Sequence, residues 1–208
     1  MSKREVVLSF TIGVITSVFA ALLLWTTRTP LDYFGDARVI KGLLIGLPVL
    51  EVIGYFIARH LLGHVKVLGQ MARFGMVGLM NFLVDTGILT ALSIYTGVES
   101  GVNIIWLNVI STSIAISNSY VWNRNWTFRD REPMTFSGFA TFVVVTIGGI
   151  AINSAIVFGV VSSIPISGVL TGTRRLAIAK LLATTVSLFW NFLGYKLVVF
   201  RKPTATLV

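Results

Sequence analysis

Long apolar runs, separated by short polar segments, make up most of this chain. A helix needs roughly 20 apolar residues to cross a membrane core about 30 Å thick. Six runs meet that length, near residues 6–26, 41–60, 73–94, 103–122, 138–162 and 176–199. The pattern predicts an all-α integral membrane protein with six transmembrane helices. The composition supports it, because 55% of the 208 residues are hydrophobic and only 12% are charged, a balance that soluble domains do not have.

The last four runs form two hairpins with similar ends. The fourth run ends in Asn123-Arg-Asn-Trp-Thr-Phe128, and the sixth ends in Tyr195-Lys-Leu-Val-Val-Phe200. An offset of 72 residues places Arg124 over Lys196 and Phe128 over Phe200. We therefore predict a tandem repeat whose pseudo-axis lies along the membrane normal. The domains are then an added N-terminal hairpin over 1–66 and a four-helix domain over 67–203.

The added hairpin has two features of its own. Its first run resembles a secretion signal, but it is too long and lacks a small-residue cleavage site, so we expect a retained helix. Its second run contains Pro48, which is expected to kink the helix, and Glu51, which lies well inside the span. Glu51 either pairs with a polar group of the four-helix domain or is protonated.

The positive charges predict the orientation in the membrane, because Lys and Arg collect on the cytoplasmic side. With a cytoplasmic N-terminus, eleven lie inside: Lys3, Arg4, Arg59, Lys66, Arg73, Arg124, Arg129, Arg131, Lys196, Arg201 and Lys202. Six lie outside: Arg28, Arg38, Lys41, Arg174, Arg175 and Lys180. We therefore expect both termini to be cytoplasmic. The group at Arg174, Arg175 and Lys180 runs against this bias, which favours a role in ligand binding.

Each of the last four runs carries one polar stripe at helical spacing. The stripes comprise Gly78, Asn81 and Asp85 in the third run, Asn108, Ser111, Asn118 and Trp122 in the fourth, Thr146, Gly149 and Asn153 in the fifth, and Lys180, Thr184, Ser187 and Asn191 in the sixth. If the four stripes face each other, they form a polar cleft between the helices. The alternative is that these small polar residues serve to pack the helices together.

Asp85 and the tryptophans at the end of the fourth run are the candidates for function. Asp85 lies near the middle of the bilayer, where an acidic group costs about 2.5–3.5 kcal/mol and is usually retained for a pair or a pathway. Lys180 is a candidate partner. Trp122 and Trp126 lie beside Asn123 and suit either interfacial anchoring or stacking on a sugar ring.

Several function classes find no support in the sequence. The chain has no cysteine, and it has no paired loop carboxylates, Gly-rich phosphate loop or serine beside a histidine, so we do not expect an enzyme or a cofactor. His60 and His64 have no third ligand nearby, so we expect no metal site. The net charge is +9, and the basic residues lie at helix ends. This placement favours an anionic membrane surface or lipid head group over nucleic acid as the partner.

The chain resembles the GtrA-like family from about Leu68 to Lys202. The resemblance is carried by Arg73-Phe-Gly-Met-Val-Gly78, Asn81 with Asp85-Thr-Gly87, Asn118 with Asn123-Arg-Asn-Trp-Thr-Phe128, Ala179-Lys-Leu-Leu-Ala-Thr184, and Asn191 before Phe200. The family is a four-span membrane domain, found alone or fused to glycosyltransferases of the dolichyl-phosphate-mannose-synthase type. Its members are implicated in moving polyprenyl-phosphate-linked sugars across the cytoplasmic membrane. This sequence departs from the family in its extra hairpin and in its second terminal motif.

The resemblance implies a translocase for a polyprenyl-phosphate-linked monosaccharide used in cell-surface glycosylation. The phosphate would bind Arg124 and Lys196 on the inner side and Arg174, Arg175 and Lys180 on the outer side. The sugar would pass Asn81, Asp85, Asn118, Asn123, Asn153 and Asn191. Its movement would run down a gradient or be coupled to a proton, with Asp85 as the proton carrier. A membrane glycosyltransferase and a second copy of the chain are the expected partners. The alternatives are a scaffold that presents the lipid to a glycosyltransferase, and a small-multidrug-type exporter.

Overall fold

The computed structural model describes residues 3–26, 37–62, 65–163 and 172–201. Within these residues the chain forms helices and no strand. Six are α-helices: α1 (Lys3–Thr26), α2 (Ala37–Leu62), α3 (Lys66–Thr96), α4 (Val102–Trp122), α5 (Phe136–Ser163) and α6 (Gly172–Gly194). Each of the six predicted apolar runs contains a helix that is long and apolar enough to cross a membrane. The prediction of an all-α membrane protein with six spans is confirmed.

Two short π-helical segments extend the hairpins that were predicted to repeat. The first, π1 (Asn123–Phe128), continues α4, and the second, π2 (Tyr195–Val199), continues α6. Their first residues are 72 positions apart, which is the offset found between the two terminal motifs. A π-helical turn is rare and is often found at functional sites. The repeated motif therefore corresponds to a repeated and unusual backbone conformation.

Residues Met1–Arg129 form one compact unit. Within it, α1 packs against both α2 and α3, and α3 packs against α4. Gly13 makes the α1–α2 contact close, because a Cβ there would lie 2.5 Å from Cα of Pro48. The helix α2 continues through Pro48. The core of this unit consists of Ile12, Tyr55, Val77, Met80, Val84, Ala115 and Trp126.

The tight connection between α3 and α4 depends on two glycines. Gly97 ends α3 with φ 70°, and Gly101 precedes α4 with φ 76°. Both values lie in the left-handed region, which glycine adopts at no steric cost and which commonly ends helices. The short turn brings α4 back along α3, so the two polar stripes of this hairpin can meet.

Residues Asp130–Val208 form the second compact unit. In its described part, α5 packs against α6 and π2. The rings of Phe142 and Tyr195 stack with centroids 4.1 Å apart, and Phe200 packs 6.2 Å from Phe142. A Cβ at Gly148 would lie 3.1 Å from Nε1 of Trp190, which donates a 3.0 Å hydrogen bond to the carbonyl oxygen of Val145. Small residues on α5 thus allow α6 to approach closely.

Candidate functional site

Asp85 is held by hydroxyl groups of the neighbouring helix. Its carboxylate accepts a 2.7 Å hydrogen bond from Ser111 and bonds of 3.2 and 3.5 Å from Thr112. Asp85 is half-buried and Ser111 is fully buried. Within the described part of Met1–Arg129, no Lys or Arg nitrogen lies within 4.0 Å of Asp85. The pairing with Lys180, which belongs to the other unit, stays a prediction.

Asn81 and Asn118 form a second polar contact between α3 and α4. The side-chain amide of Asn118 donates a 2.8 Å hydrogen bond to the amide oxygen of Asn81, whose own nitrogen donates to the carbonyl of Val77 at 2.7 Å. Asn81 precedes Asp85 by one helical turn, which is about 6 Å along the helix. The predicted stripes of α3 and α4 therefore face each other and form a polar seam inside an apolar hairpin.

The corresponding stripes of α5 and α6 also face each other. Asn153 donates a 3.2 Å hydrogen bond to the hydroxyl of Ser187, and Gly149 lies directly against the amide of Asn191. Thr146 shares a 2.7 Å hydrogen bond with the hydroxyl of Tyr195 at the start of π2. Asp85 in the first hairpin and Asn153 in the second each contact a serine. The polar contact between α5 and α6 therefore has an amide where that between α3 and α4 has a carboxylate.

The π1 segment turns most of its side chains into the protein. Asn123, Arg124, Trp126, Thr127 and Phe128 are buried. Asn123 donates hydrogen bonds to the carbonyl and hydroxyl oxygens of Ser119, at 3.0 and 3.2 Å. The Oδ1 of Asn123, the Nε1 of Trp126 and the Oγ1 of Thr127 are buried and have no hydrogen-bond partner among the described protein atoms. This polar capacity is concentrated at one end of the hairpin.

The two tryptophans of the motif lie in different environments. Trp126 is 1% exposed and its ring packs 5.5 Å from that of Tyr55, so a sugar has no access to its face in this conformation. Trp122 is half-buried at the edge of the core. The prediction of sugar stacking is therefore corrected for Trp126, whose ring packs in the core, and stays a prediction for Trp122.

A carboxylate at the start of α1 gathers three arginines, and sequence reasoning missed it. Glu5 accepts hydrogen bonds from Arg59 and Arg129 and a 3.2 Å bond from the hydroxyl of Tyr55. A guanidinium nitrogen of Arg73 lies 4.0 Å from the carboxylate and 3.2 Å from the Tyr55 hydroxyl. We call these five residues the Glu5 cage. The available signal was the charge sorting, which placed the three arginines and the N-terminus on the same side.

The remaining predicted head-group residues lie in the second unit. Lys180 is exposed on α6. The ammonium of Lys196 lies 5.6 Å from the centroid of the Phe192 ring, within cation–π range. Arg174 and Arg175 lie in the first turn of α6, and their side chains are outside the part that the structure describes. Their predicted role stays a prediction.

Comparisons with known proteins found a family profile and a relative that match this chain. The sequence profile described as the GtrA/DPMS transmembrane domain matches residues 73–200, which is more than half of the 208 residues. The chain belongs to this family. The uncharacterized membrane protein YngA of Bacillus subtilis (strain 168) is 31% identical over 136 residues, covering 65% of this chain and 80% of the relative. No solved structure matches the chain.

The GtrA/DPMS match has a direct bearing on the Glu5 cage. Arg73 is the first residue of the match, and Arg129 lies within it. Glu5, Tyr55 and Arg59 belong to the hairpin that precedes it. The cage therefore joins the added hairpin to the first half of the family domain.

Proposed function

We propose that this GtrA/DPMS-family protein moves a polyprenyl-phosphate-linked monosaccharide across the cytoplasmic membrane for cell-surface polysaccharide glycosylation. The protein changes the position of the lipid and no covalent bond. Family membership supports a membrane role of this class. The observation that carries the proposal is the polar seam of α3 and α4, in which Asp85 meets Ser111 and Thr112, and Asn81 meets Asn118.

The polar seam supplies the hydrogen-bond partners that a sugar lacks in hydrocarbon. Sugar hydroxyls that leave water without new hydrogen bonds face a large transfer cost, and lipid chains offer no partner. The hydrogen bond between Asn118 and Asn81 and the hydroxyl bonds of Asp85 can be exchanged for hydrogen bonds to a sugar. The number of hydrogen bonds is then conserved as the sugar passes. The chains of the lipid remain in the bilayer throughout. We propose that Asn123 also contacts the sugar, and that Asn153 and Asn191 offer similar contacts within the second hairpin.

The phosphate requires cations at each membrane surface. We assign Arg124 and Lys196 to the cytoplasmic side, and Lys180 with Arg174 and Arg175 to the outer side, on the charge distribution of the sequence. Both termini are then cytoplasmic. An anionic phosphate interacts strongly with guanidinium groups through paired hydrogen bonds. Trp122 is the last residue of α4 and is half-buried. It is the candidate surface for the sugar ring.

Asp85 is the proposed coupling group. Within the described part of Met1–Arg129, the Asp85 carboxylate accepts hydrogen bonds from hydroxyl donors and has no cation within 4.0 Å. Acidic groups inside membrane spans often mark proton relays. We propose that Asp85 takes up and releases a proton as the lipid crosses, and that a membrane glycosyltransferase supplies or consumes this lipid, with the translocase acting as a homodimer.

One observation favours a second candidate, a scaffold that presents the lipid to a glycosyltransferase without moving it. The polar stripes bond to each other within each hairpin, as residues that only pack helices would do. The exporter alternative would need a pocket for cations, whereas the charged residues at the described helix ends are mainly basic.

Reconstitution of the protein alone separates these candidates. Vesicles containing the purified protein and a fluorescent polyprenyl-phosphate sugar are treated with a quencher that does not cross the membrane. The translocase makes the inner-leaflet lipid accessible faster than in protein-free vesicles. Equal rates in the two preparations, with glycosyltransferase activity raised on co-reconstitution, would establish the scaffold instead.

A further inference from the structure

The Glu5 cage brings together side chains from three helices and from the residue that follows π1. Glu5 comes from the first turn of α1, Tyr55 and Arg59 from α2, Arg73 from α3, and Arg129 from the residue that follows π1. Arg129 has φ 54°, a left-handed conformation that is uncommon outside glycine and has to be held by its surroundings. The chain thus adopts an unfavourable backbone conformation where a guanidinium reaches the carboxylate.

The cage holds more positive than negative charge. Three guanidinium groups and one carboxylate sum to a formal charge of +2. Each guanidinium has five N–H donors, and the bonds to Glu5 use a small part of them. The Nε of Arg73 is buried and has no hydrogen-bond partner among the described protein atoms. The cage therefore has unused capacity for an anion with more acceptor oxygens than a carboxylate.

The cage is closed on the side of Glu5 and open on the side of two arginines. The Glu5 side chain is 7% exposed, whereas those of Arg59 and Arg129 are 46% and 54% exposed. An anion arriving from outside would meet these two guanidinium groups first. Glu5 lies in the first turn of its helix, where the helix dipole favours a negative charge. An end turn is also the part of a helix that moves most easily.

We propose that the Glu5 cage is a phosphate site in which the Glu5 carboxylate is a resident anion that a lipid phosphate displaces. The inference rests on the proposed function for the identity of the lipid, but the cage itself is an anion site on its own geometry. Phosphate offers three acceptor oxygens to a fork of N–H donors, which guanidinium groups recognise by paired bonds. Displacement of Glu5 would release the first turn of α1 from Arg59 and from Arg129 at the end of π1, while the rest of α1 stays packed in the core.

This arrangement links head-group binding to the added hairpin. Arg73 also donates to the carbonyl oxygen of Thr127 in π1, at 3.5 Å. A phosphate bound by Arg73 and Arg129 would therefore be linked through both arginines to the C-terminal end of π1. The added hairpin supplies the carboxylate that competes for the same donors. Its role is to keep the entrance occupied until an anionic head group arrives.

The test is a binding titration of the full chain in detergent micelles, followed by tryptophan fluorescence. The probes are farnesyl phosphate, inorganic phosphate, and farnesol as the uncharged lipid. Glu5→Gln removes the competing charge and keeps the shape, so we expect it to bind farnesyl phosphate about tenfold more tightly than the natural chain. Farnesol should bind both proteins equally. The matched control is Glu132→Gln, which removes an exposed carboxylate outside the cage and should change nothing.

The probes distinguish the source of the phosphate. A gain for farnesyl phosphate alone assigns the site to a lipid head group, and an equal gain for inorganic phosphate assigns it to a free anion; both support the cage as a phosphate site. Affinity for both probes that is unchanged or lower in folded Glu5→Gln would overturn the proposal, because the cage would then be only a structural ion cluster.

A second variant keeps the proposal testable if Glu5→Gln does not fold. Arg59→Gln changes a half-exposed side chain, and we expect it to weaken farnesyl phosphate binding about tenfold. Unchanged binding in Arg59→Gln would also overturn the proposal. The titration measures binding and not translocation, so the two proposals can fail separately. A protein that binds through the cage but moves no lipid would refute the proposed function alone. A protein that moves lipid with the cage variants binding normally would refute the cage alone.

Discussion

Replacing Gly149 by alanine tests how tightly α5 packs against the amide of Asn191. Gly149 is buried, and a Cβ there would lie 2.8 Å from Nδ2 and 2.9 Å from Cγ of Asn191. Because non-bonded carbon atoms are most stable about 3.5–4.0 Å apart, Asn191 would have to retreat by about 0.6 Å or more. Overpacking of this kind costs about 1–3 kcal/mol. We expect Gly149→Ala to lower the free energy of unfolding by that amount.

Gly159 on the same helix provides the matched control. A Cβ added at Gly159 meets nothing within 4 Å, and alanine is favoured over glycine inside a helix by roughly 0.5–1 kcal/mol. The two substitutions therefore have opposite expected signs. The measurement is denaturant unfolding of both variants in the same detergent. If Gly149→Ala proved as stable as Gly159→Ala, the close α5–α6 contact and the facing stripes of this hairpin would be refuted.

Three further predictions concern the seam, the head group and the orientation. A double-mutant cycle of Asn81→Ala and Asn118→Ala should give a coupling free energy of about 0.6–1.7 kcal/mol in unfolding measurements; additive effects would contradict their hydrogen bond. Arg124→Ala should still insert in the membrane but lose lipid transport in vesicles, and normal transport would remove it from the proposed phosphate site. Because the natural chain has no cysteine, Glu99→Cys and Glu132→Cys can be labelled singly; we expect an impermeant thiol reagent to reach the first from outside and the second from the cytoplasm, and labelling from the opposite sides would invert the orientation.

The six helices were predictable from the sequence because hydropathy over one span is a local property. The runs near 73–94 and 103–122 correspond to α3 and α4, with ends that differ by a few residues or more. The helix α3 begins seven residues before its apolar run, because Lys66, Gly69 and Gln70 interrupt the apolar residues of its first two turns and lower the local hydropathy. The local pattern thus predicted the architecture, and the mixed composition of this helix end accounts for the difference.

Helical spacing also indicated which residues share a face, but it did not give their partners. Asn81 and Asp85 were placed on one stripe, and they do lie along the α3–α4 contact. Spacing within one helix carries no information on the rotation of the next helix. The bond between Asn118 and Asn81, and that between Thr112 and Asp85, therefore required the structure.

The π-helical turns and the Glu5 cage lay beyond sequence reasoning for different reasons. A π turn differs from an α turn by one residue in its hydrogen-bond spacing, so the apolar pattern continues through it. A tryptophan at a span end predicts a position at the membrane surface, but the ring of Trp126 lies in the core. The cage joins Glu5 to Arg129 across 124 positions, and such contacts depend on how the helices pack.

The Asp85→Asn variant shows whether Asp85 takes part in moving a lipid-linked sugar. Asparagine keeps the size and an acceptor oxygen for Ser111 and Thr112, but it cannot carry a charge or exchange a proton. The measurement is the rate at which a labelled polyprenyl-phosphate sugar becomes accessible in vesicles, with Glu99→Gln as a control that removes an exposed carboxylate. We expect Asp85→Asn to show the rate of protein-free vesicles and Glu99→Gln to show the natural rate. A natural rate in Asp85→Asn would exclude Asp85 from the proposed transport.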